Sequence, residues 1–166
     1  MRKAYMGDKV VTLHGKAPEL NQEVIVKGAL AGSFEQVELE RKHDYLVLIT
    51  FPSIDTSVCD LQVLFLSQLT EKYPNFDYAS ISVDLPTALN SYKSSHPTGS
   101  IQLFSDYYDL KLSKELGVLM EENRLSARAV FIVNKENKIV YLQINEQVKD
   151  QMDFKALESK LQELSK

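Results

Sequence analysis

Cys59 is the only cysteine in the chain, and its setting decides what its sulfur can do. The thiolate is the nucleophile, and an ordinary cysteine is only a few per cent ionised at neutral pH. The stretch Phe51-Pro-Ser-Ile-Asp-Thr-Ser-Val-Cys59 joins a strand pattern to a helix pattern. Tyr45 to Phe51 is a short apolar run rich in β-branched and aromatic residues, as suits a strand buried on both faces, and Pro52 ends it. From Ser57 onward Val58, Leu61, Leu64, Phe65 and Leu69 recur at three- and four-residue spacing, the signature of one apolar helix face. Cys59 is therefore expected in the first turn, with Thr56 or Asp55 as N-cap. Free backbone N–H groups and the positive end of the helix dipole stabilise an anion there. On residue type alone a single cysteine is more often a small buried hydrophobe. The strand-turn-helix context favours the reactive reading.

Other candidates for chemistry are fewer. Arg128 opens the apolar pattern Ala129 to Val133, and a charge at a sheet end commonly lines a site; taken alone, a surface arginine paired with Asp or Glu is the more common reading. His14, His43 and His96 fall in predicted loops without metal-ligand spacing and read as surface residues. A cysteine hydrolase needs one of them beside Cys59 together with an orienting group. No glycine-rich phosphate loop is present. The pairs Glu38/Glu40 and Glu121/Glu122 read as solvated charge. No cofactor and no metal are expected.

The elements that must position Cys59 and Arg128 alternate along the chain. Lys9 to Leu13 is a short strand candidate closed by His14-Gly15. Val24 to Val26 reads as a strand, Gly28 to Gly32 as a turn, and Phe34, Val37 and Leu39 mark an extended segment. After the Cys59 helix, Tyr73-Pro74 stops the pattern and Phe76 to Val83 resumes as a strand, a crossover that implies a parallel pair. A second helix opens at Asp84 to Pro86 and runs through Leu89 and Tyr92, with Ser94 to Gly99 as the loop after it. Ile101 to Phe104 is a strand candidate, and Tyr108 to Leu116 a helix closed by Gly117. Arg128 to Val133 and Ile139 to Ile144 form a β-hairpin. A final amphipathic helix begins near Asp153, with Phe154, Leu157, Leu161 and Leu164 on one face. This order predicts an α/β fold with a mixed central sheet flanked by helices.

The chain has 166 residues and 44% hydrophobic content, enough for one core, so a single domain over 1–166 is expected. A net charge of −4 and a pI near 5.4 lack the basic footprint of a nucleic-acid binder. No apolar stretch is long enough to span a bilayer, and Met1-Arg-Lys-Ala-Tyr-Met6 leads into charged sequence without the apolar centre of a signal peptide. One cysteine forms no internal disulfide, which excludes a disulfide-stapled scaffold. A cytoplasmic protein without nucleic-acid or membrane partners is the expectation.

Pro52, Thr56 and Cys59 match the Pro-x-x-x-Thr-x-x-Cys signature of peroxiredoxins, and Pro52-Ser-Ile-Asp-Thr-Ser-Val-Cys-Asp60 resembles the thiol peroxidase branch closely. Ser82 to Pro86, Leu103 to Asp106, Tyr108 to Gly117 and Arg124 to Val130 resemble family segments in the family's order, so the likeness covers about residues 45 to 164. It implies a thioredoxin-like fold with an N-terminal β-hairpin extension, and reduction of hydrogen peroxide or alkyl hydroperoxides through a sulfenic acid at Cys59. In the family's pattern Pro52 shields the sulfur, Thr56 sets its hydroxyl against the peroxide, and Arg128 supplies a fixed positive charge. A homodimer is also implied. The family's thiol peroxidases usually carry a second, resolving cysteine where Lys93 falls here. Its absence implies reduction by an external thiol, such as thioredoxin or a low-molecular-weight thiol. Two other readings remain at this stage: a redox sensor or binding module oxidised once without turnover, and a structural domain with an inert buried cysteine.

Overall fold

A computed structural model of the protein describes residues 1–166. Strands β1 (Arg2–Met6) and β2 (Lys9–Leu13) pair as an antiparallel hairpin turning at Gly7, whose φ of 65° suits a residue without Cβ. Then follow β3 (Lys27–Leu30), β4 (Gln36–Glu38), β5 (Leu46–Thr50), α1 (Ser57–Lys72), β6 (Asp77–Ser82) and α2 (Pro86–Ser95). The chain continues through β7 (Gln102–Ser105), α3 (Lys111–Glu115), β8 (Ala129–Val133), β9 (Ile139–Ile144) and α4 (Phe154–Leu164). Outside the hairpin, the strands form one mixed sheet in the order β4-β3-β7-β6-β5-β8-β9. The β5–β6 and β6–β7 pairs are parallel, joined by the crossovers that carry α1 and α2, and the remaining pairs are antiparallel. This is the expected thioredoxin-like arrangement with its N-terminal hairpin.

All five residues of β5 are buried because helices or loops cover both faces of the sheet. Alternation along the strand divides the core in two. Leu46 and Leu48 pack with Ala4 and Val11 of the hairpin and with Leu112 and Leu116 around α3. Val47 and Ile49 pack on the opposite face with Cys59, Val63 and Leu66 of α1 and Leu157 and Leu161 of α4. The same alternation sends Val130 and Ile132 of β8 toward α1. Arg128, two residues before Val130, shares that side.

Four sequence expectations are corrected. Val24 to Val26 is not a ladder strand, and the expected turn at Gly28 is instead part of β3. A Cβ on Gly28 would lie 2.7 Å from the Ser105 carbonyl oxygen, so glycine is what lets β3 close against β7. The helix expected from Tyr108 shrinks to Lys111–Glu115, because Leu110 takes a left-handed φ of 56° and interrupts it; Gly117, at φ 67°, follows its end as anticipated. The buried face of α1 is also rotated: Cys59, Gln62, Val63, Leu66 and Leu69 point inward, while Leu61 and Phe65 are exposed. Phe65 packs edge-on against Phe154 of α4, with ring centroids 5.2 Å apart.

Candidate active site

Register brings the site together. Thr50, the last residue of β5, pairs with Ala129, so Arg128 enters the sheet edge just where β5 gives way to Phe51 and Pro52. The Thr50 hydroxyl donates to the Ala127 carbonyl at 2.7 Å and fixes that entry. The loop from Phe51 to Thr56 then returns the chain to α1, which presents Cys59 in its first turn. Asp84, after β6, anchors this loop by accepting the Ile54 backbone N–H at 2.9 Å and the Ser82 hydroxyl at 2.7 Å. Burial pushes the Asp84 carboxyl above the usual carboxylate range, opposed by these hydrogen bonds and reinforced by the charge of Asp55.

Both terminal nitrogens of the Arg128 guanidinium lie 3.5 Å from Cys59 Sγ. Its Nε donates to the Val148 carbonyl at 2.8 Å, and Nη1 donates to Gln62 Oε1 at 2.6 Å. Gln62 in turn donates through Nε2 to the Thr50 carbonyl at 3.2 Å. Arg128 is 2% exposed and every oxygen it meets is neutral; it forms no ion pair with a carboxylate. A buried cation without a counter-ion is costly, and the sulfur is the one group in contact that can become an anion. The first turn of a 16-residue helix adds its own free N–H groups on the same side. The guanidinium and the helix start therefore set fixed positive charge and N–H donors beside the sulfur, where they can stabilise negative charge on a departing oxygen.

Cys59 itself has no solvent-accessible surface. Beside it, a cleft of about 590 Å³ opens between the loop, the first turn of α1 and α2, with Thr56, Asp60, Asp84, Tyr92 and His96 among its walls. Pro52 is buried at the end of β5. Thr56 stands at the N-cap position, but its hydroxyl donates to the Ser53 carbonyl at 3.0 Å and neither caps the helix nor touches the sulfur. Of the four residues singled out in the sequence, Cys59 and Arg128 meet directly. Thr56 lines the neighbouring cleft, and Pro52 is buried outside its lining.

Sequence reasoning missed Gln62 and the group on α2. Gln62 is one turn from Cys59, and a polar residue three positions along on a buried face is a signal that an apolar-only helix reading discards. The histidines are not idle either. His14 meets Glu121 at 3.2 Å and His43 meets Asp77 at 2.9 Å, while His96 lines the cleft. Tyr92 donates its hydroxyl to Asp60; burial, that hydrogen bond and the negative charge of Asp60 all raise its phenol above the ordinary tyrosine range.

Residues 15–161 match the Redoxin family. The chain is 32% identical over 140 residues to a thiol peroxidase of Clostridium acetobutylicum, covering 84% of this chain and 85% of that one. It is 33% identical over 154 residues to a thiol peroxidase of Staphylococcus aureus, covering 88% and 93%. Among solved structures, a peroxiredoxin-like protein from Aquifex aeolicus superposes with a TM-score of 0.87 at 25% identity, over 99% of this chain and 98% of that one. A thiol peroxidase from Chromobacterium violaceum superposes with the same score at 22% identity, over 98% and 97%, a likeness of fold.

Proposed function

The chain belongs to the redoxin family, among its thiol peroxidases, and on that premise we propose that Cys59 is the sulfur that attacks the peroxide, with Arg128 as its electrostatic partner. The protein is an oxidoreductase that reduces hydroperoxides at the expense of thiols. In the first half-reaction the Cys59 thiolate attacks the terminal peroxide oxygen. The S–O bond forms as the O–O bond breaks, and the leaving oxygen departs as water or an alcohol once protonated. The observation that carries this assignment is the contact of both Arg128 terminal nitrogens, 3.5 Å each, with the only cysteine of the chain. Arg128 stabilises the charge that moves from sulfur to the leaving oxygen. Pro52 keeps bulk water from the sulfur, and Thr56 orients the peroxide from the cleft wall by releasing Ser53 and turning its hydroxyl toward the substrate.

Only one cysteine is present, so oxidised Cys59 returns to the thiol through an external reductant, thioredoxin or a small thiol. A reducing compartment such as the cytoplasm supplies one, and no helix is long and apolar enough to cross a membrane. We read residues 1–166 as one domain that pairs as a homodimer, with exposed Leu61, Phe65 and Leu85 offering apolar surface for the contact.

Cys59→Ser abolishes consumption of hydrogen peroxide driven by a dithiol, while wild-type protein consumes peroxide in large molar excess over itself. A single stoichiometric oxidation of the wild type would show a sensor in place of an enzyme.

A further inference from the structure

The cleft beside Cys59 holds a cluster for which the peroxide step has no use. His96, the residue that ends α2, stacks on Tyr92 with ring centroids 4.0 Å apart and planes within 5° of parallel. Its Nδ1 lies 3.1 Å from the Tyr92 carbonyl oxygen and 2.9 Å from Ser95 Oγ. A carbonyl only accepts, so Nδ1 carries the proton and Nε2 of the neutral ring keeps its lone pair. That Nε2 is 4.0 Å from Oδ1 of Asp60, the residue following Cys59, and the Tyr92 hydroxyl donates to the same oxygen and holds it in place. The ring thus has a fixed tautomer, a carboxylate beside its free nitrogen, and the negative end of a ten-residue helix next to it. This geometry leaves Nε2 as the one neutral nitrogen lone pair on the cleft wall, in place to accept a hydrogen from a ligand bound there. The other ionisable groups facing the cleft are Asp55 and Asp84 from the loops; no lysine or arginine lines it.

We infer that His96 is the acid–base residue of the reductive half-reaction, taking the S–H proton of a small external thiol that enters this cleft. The inference rests on the peroxidase reading above. As the thiol R–SH gives its proton to Nε2, its sulfur attacks Cys59 Sγ of the sulfenic acid. The S–S bond forms as the S–O bond breaks in line with it, the oxygen leaves on the far side as hydroxide, and the proton taken by Nε2 is returned through solvent to make water. A second R–SH then displaces the Cys59 sulfur, leaving R–S–S–R and the restored thiol. A base is useful here because most of an ordinary thiol is protonated at neutral pH.

The test separates the two half-reactions. Cys59 is oxidised with one equivalent of hydrogen peroxide, mixed with mercaptoethanol, and the mixed disulfide is followed by intact-protein mass spectrometry in wild type and His96→Gln. The expected result is an oxidation rate within about twofold of wild type and a reductive rate at neutral pH about 10- to 100-fold lower. The deficit should close as the pH is raised toward about 9, where mercaptoethanol supplies its own thiolate. An unchanged reductive rate, or a deficit constant with pH as a merely structural role would give, overturns the assignment. A wild-type sulfur that gains no oxygen overturns the peroxidase reading and this inference with it.

Discussion

The two ends of β5 each carry an arginine, and the difference between them separates stability from chemistry. At the amino-terminal end, Arg41 donates to Asp77 at 3.3 Å, to Asn137 Oδ1 at 3.1 Å and to the Asp44 and Asn134 carbonyls at 2.9 and 3.1 Å. Asp77 also accepts the backbone N–H groups of Lys42 and His43 and the His43 ring. Burial alone would raise the Asp77 carboxyl, yet these donors outweigh it and hold the group below the usual carboxylate range. The charge of Arg41 is thus fully answered. At the carboxyl-terminal end, Arg128 is more deeply buried and no carboxylate answers it; its free hydrogen-bonding capacity points at Cys59. An arginine with its own counter-ion fastens strands, whereas one without a counter-ion is, in the proposed reaction, held ready for a charge that comes and goes.

Exchanging either arginine for methionine breaks this comparison in opposite directions. Arg128→Met is expected to lower kcat/KM for hydrogen peroxide by about 10²- to 10³-fold, whereas Arg41→Met stays within about twofold in the same peroxide-consumption assay. In urea unfolding the order reverses. Removing Arg41 loses its bonds to Asp77, Asn137 and two carbonyls and costs about 3 kcal/mol, while Arg128→Met costs less, about 1–2 kcal/mol, because relief of an unpaired buried charge offsets the donor lost by Gln62 and the Val148 carbonyl.

The pH dependence of stability sharpens the point. Asp77 titrates lower folded than unfolded, so its contribution is fully present above the unfolded carboxylate value and is lost as the pH falls through the folded one. Asp77→Asn should therefore flatten the acid limb of the stability curve below about pH 4, a change that denaturation midpoints measured along a pH series will reveal. The smallest effect is expected at Thr56. With its hydroxyl committed to Ser53, Thr56→Val should slow peroxide reduction by about 2- to 10-fold and leave the melting temperature nearly unchanged.

Much of this site is legible in the sequence because it is built locally. The apolar run of β5, the break at Pro52 and the start of α1 all follow from residues within about fifteen positions, and the Pro52-Thr56-Cys59 spacing lies inside that span. Arg128 is legible as a residue that opens a strand, though only the antiparallel register of Thr50 with Ala129 delivers it to the sulfur. The inward face of α1 was misjudged because it includes Gln62, Ser67 and Thr70, polar residues that burial tolerates once each finds a partner, as Gln62 does in Arg128 and Thr50. Gln62 becomes intelligible only when β8 is placed beside β5. His96 is exposed, as its sequence setting predicts, but its relation to Asp60 depends on how α2 lies against α1, which no spacing within either helix encodes.

The central claim is that the unanswered charge of Arg128 makes Cys59 reactive. A single-turnover measurement tests it most directly: equal concentrations of protein and hydrogen peroxide are mixed, and the gain of one oxygen on Cys59 is timed by intact-protein mass spectrometry in wild type and in folded Arg128→Met. Oxidation slowed by about 10²-fold or more in the variant is the predicted result. Equal rates in the two proteins would contradict the account.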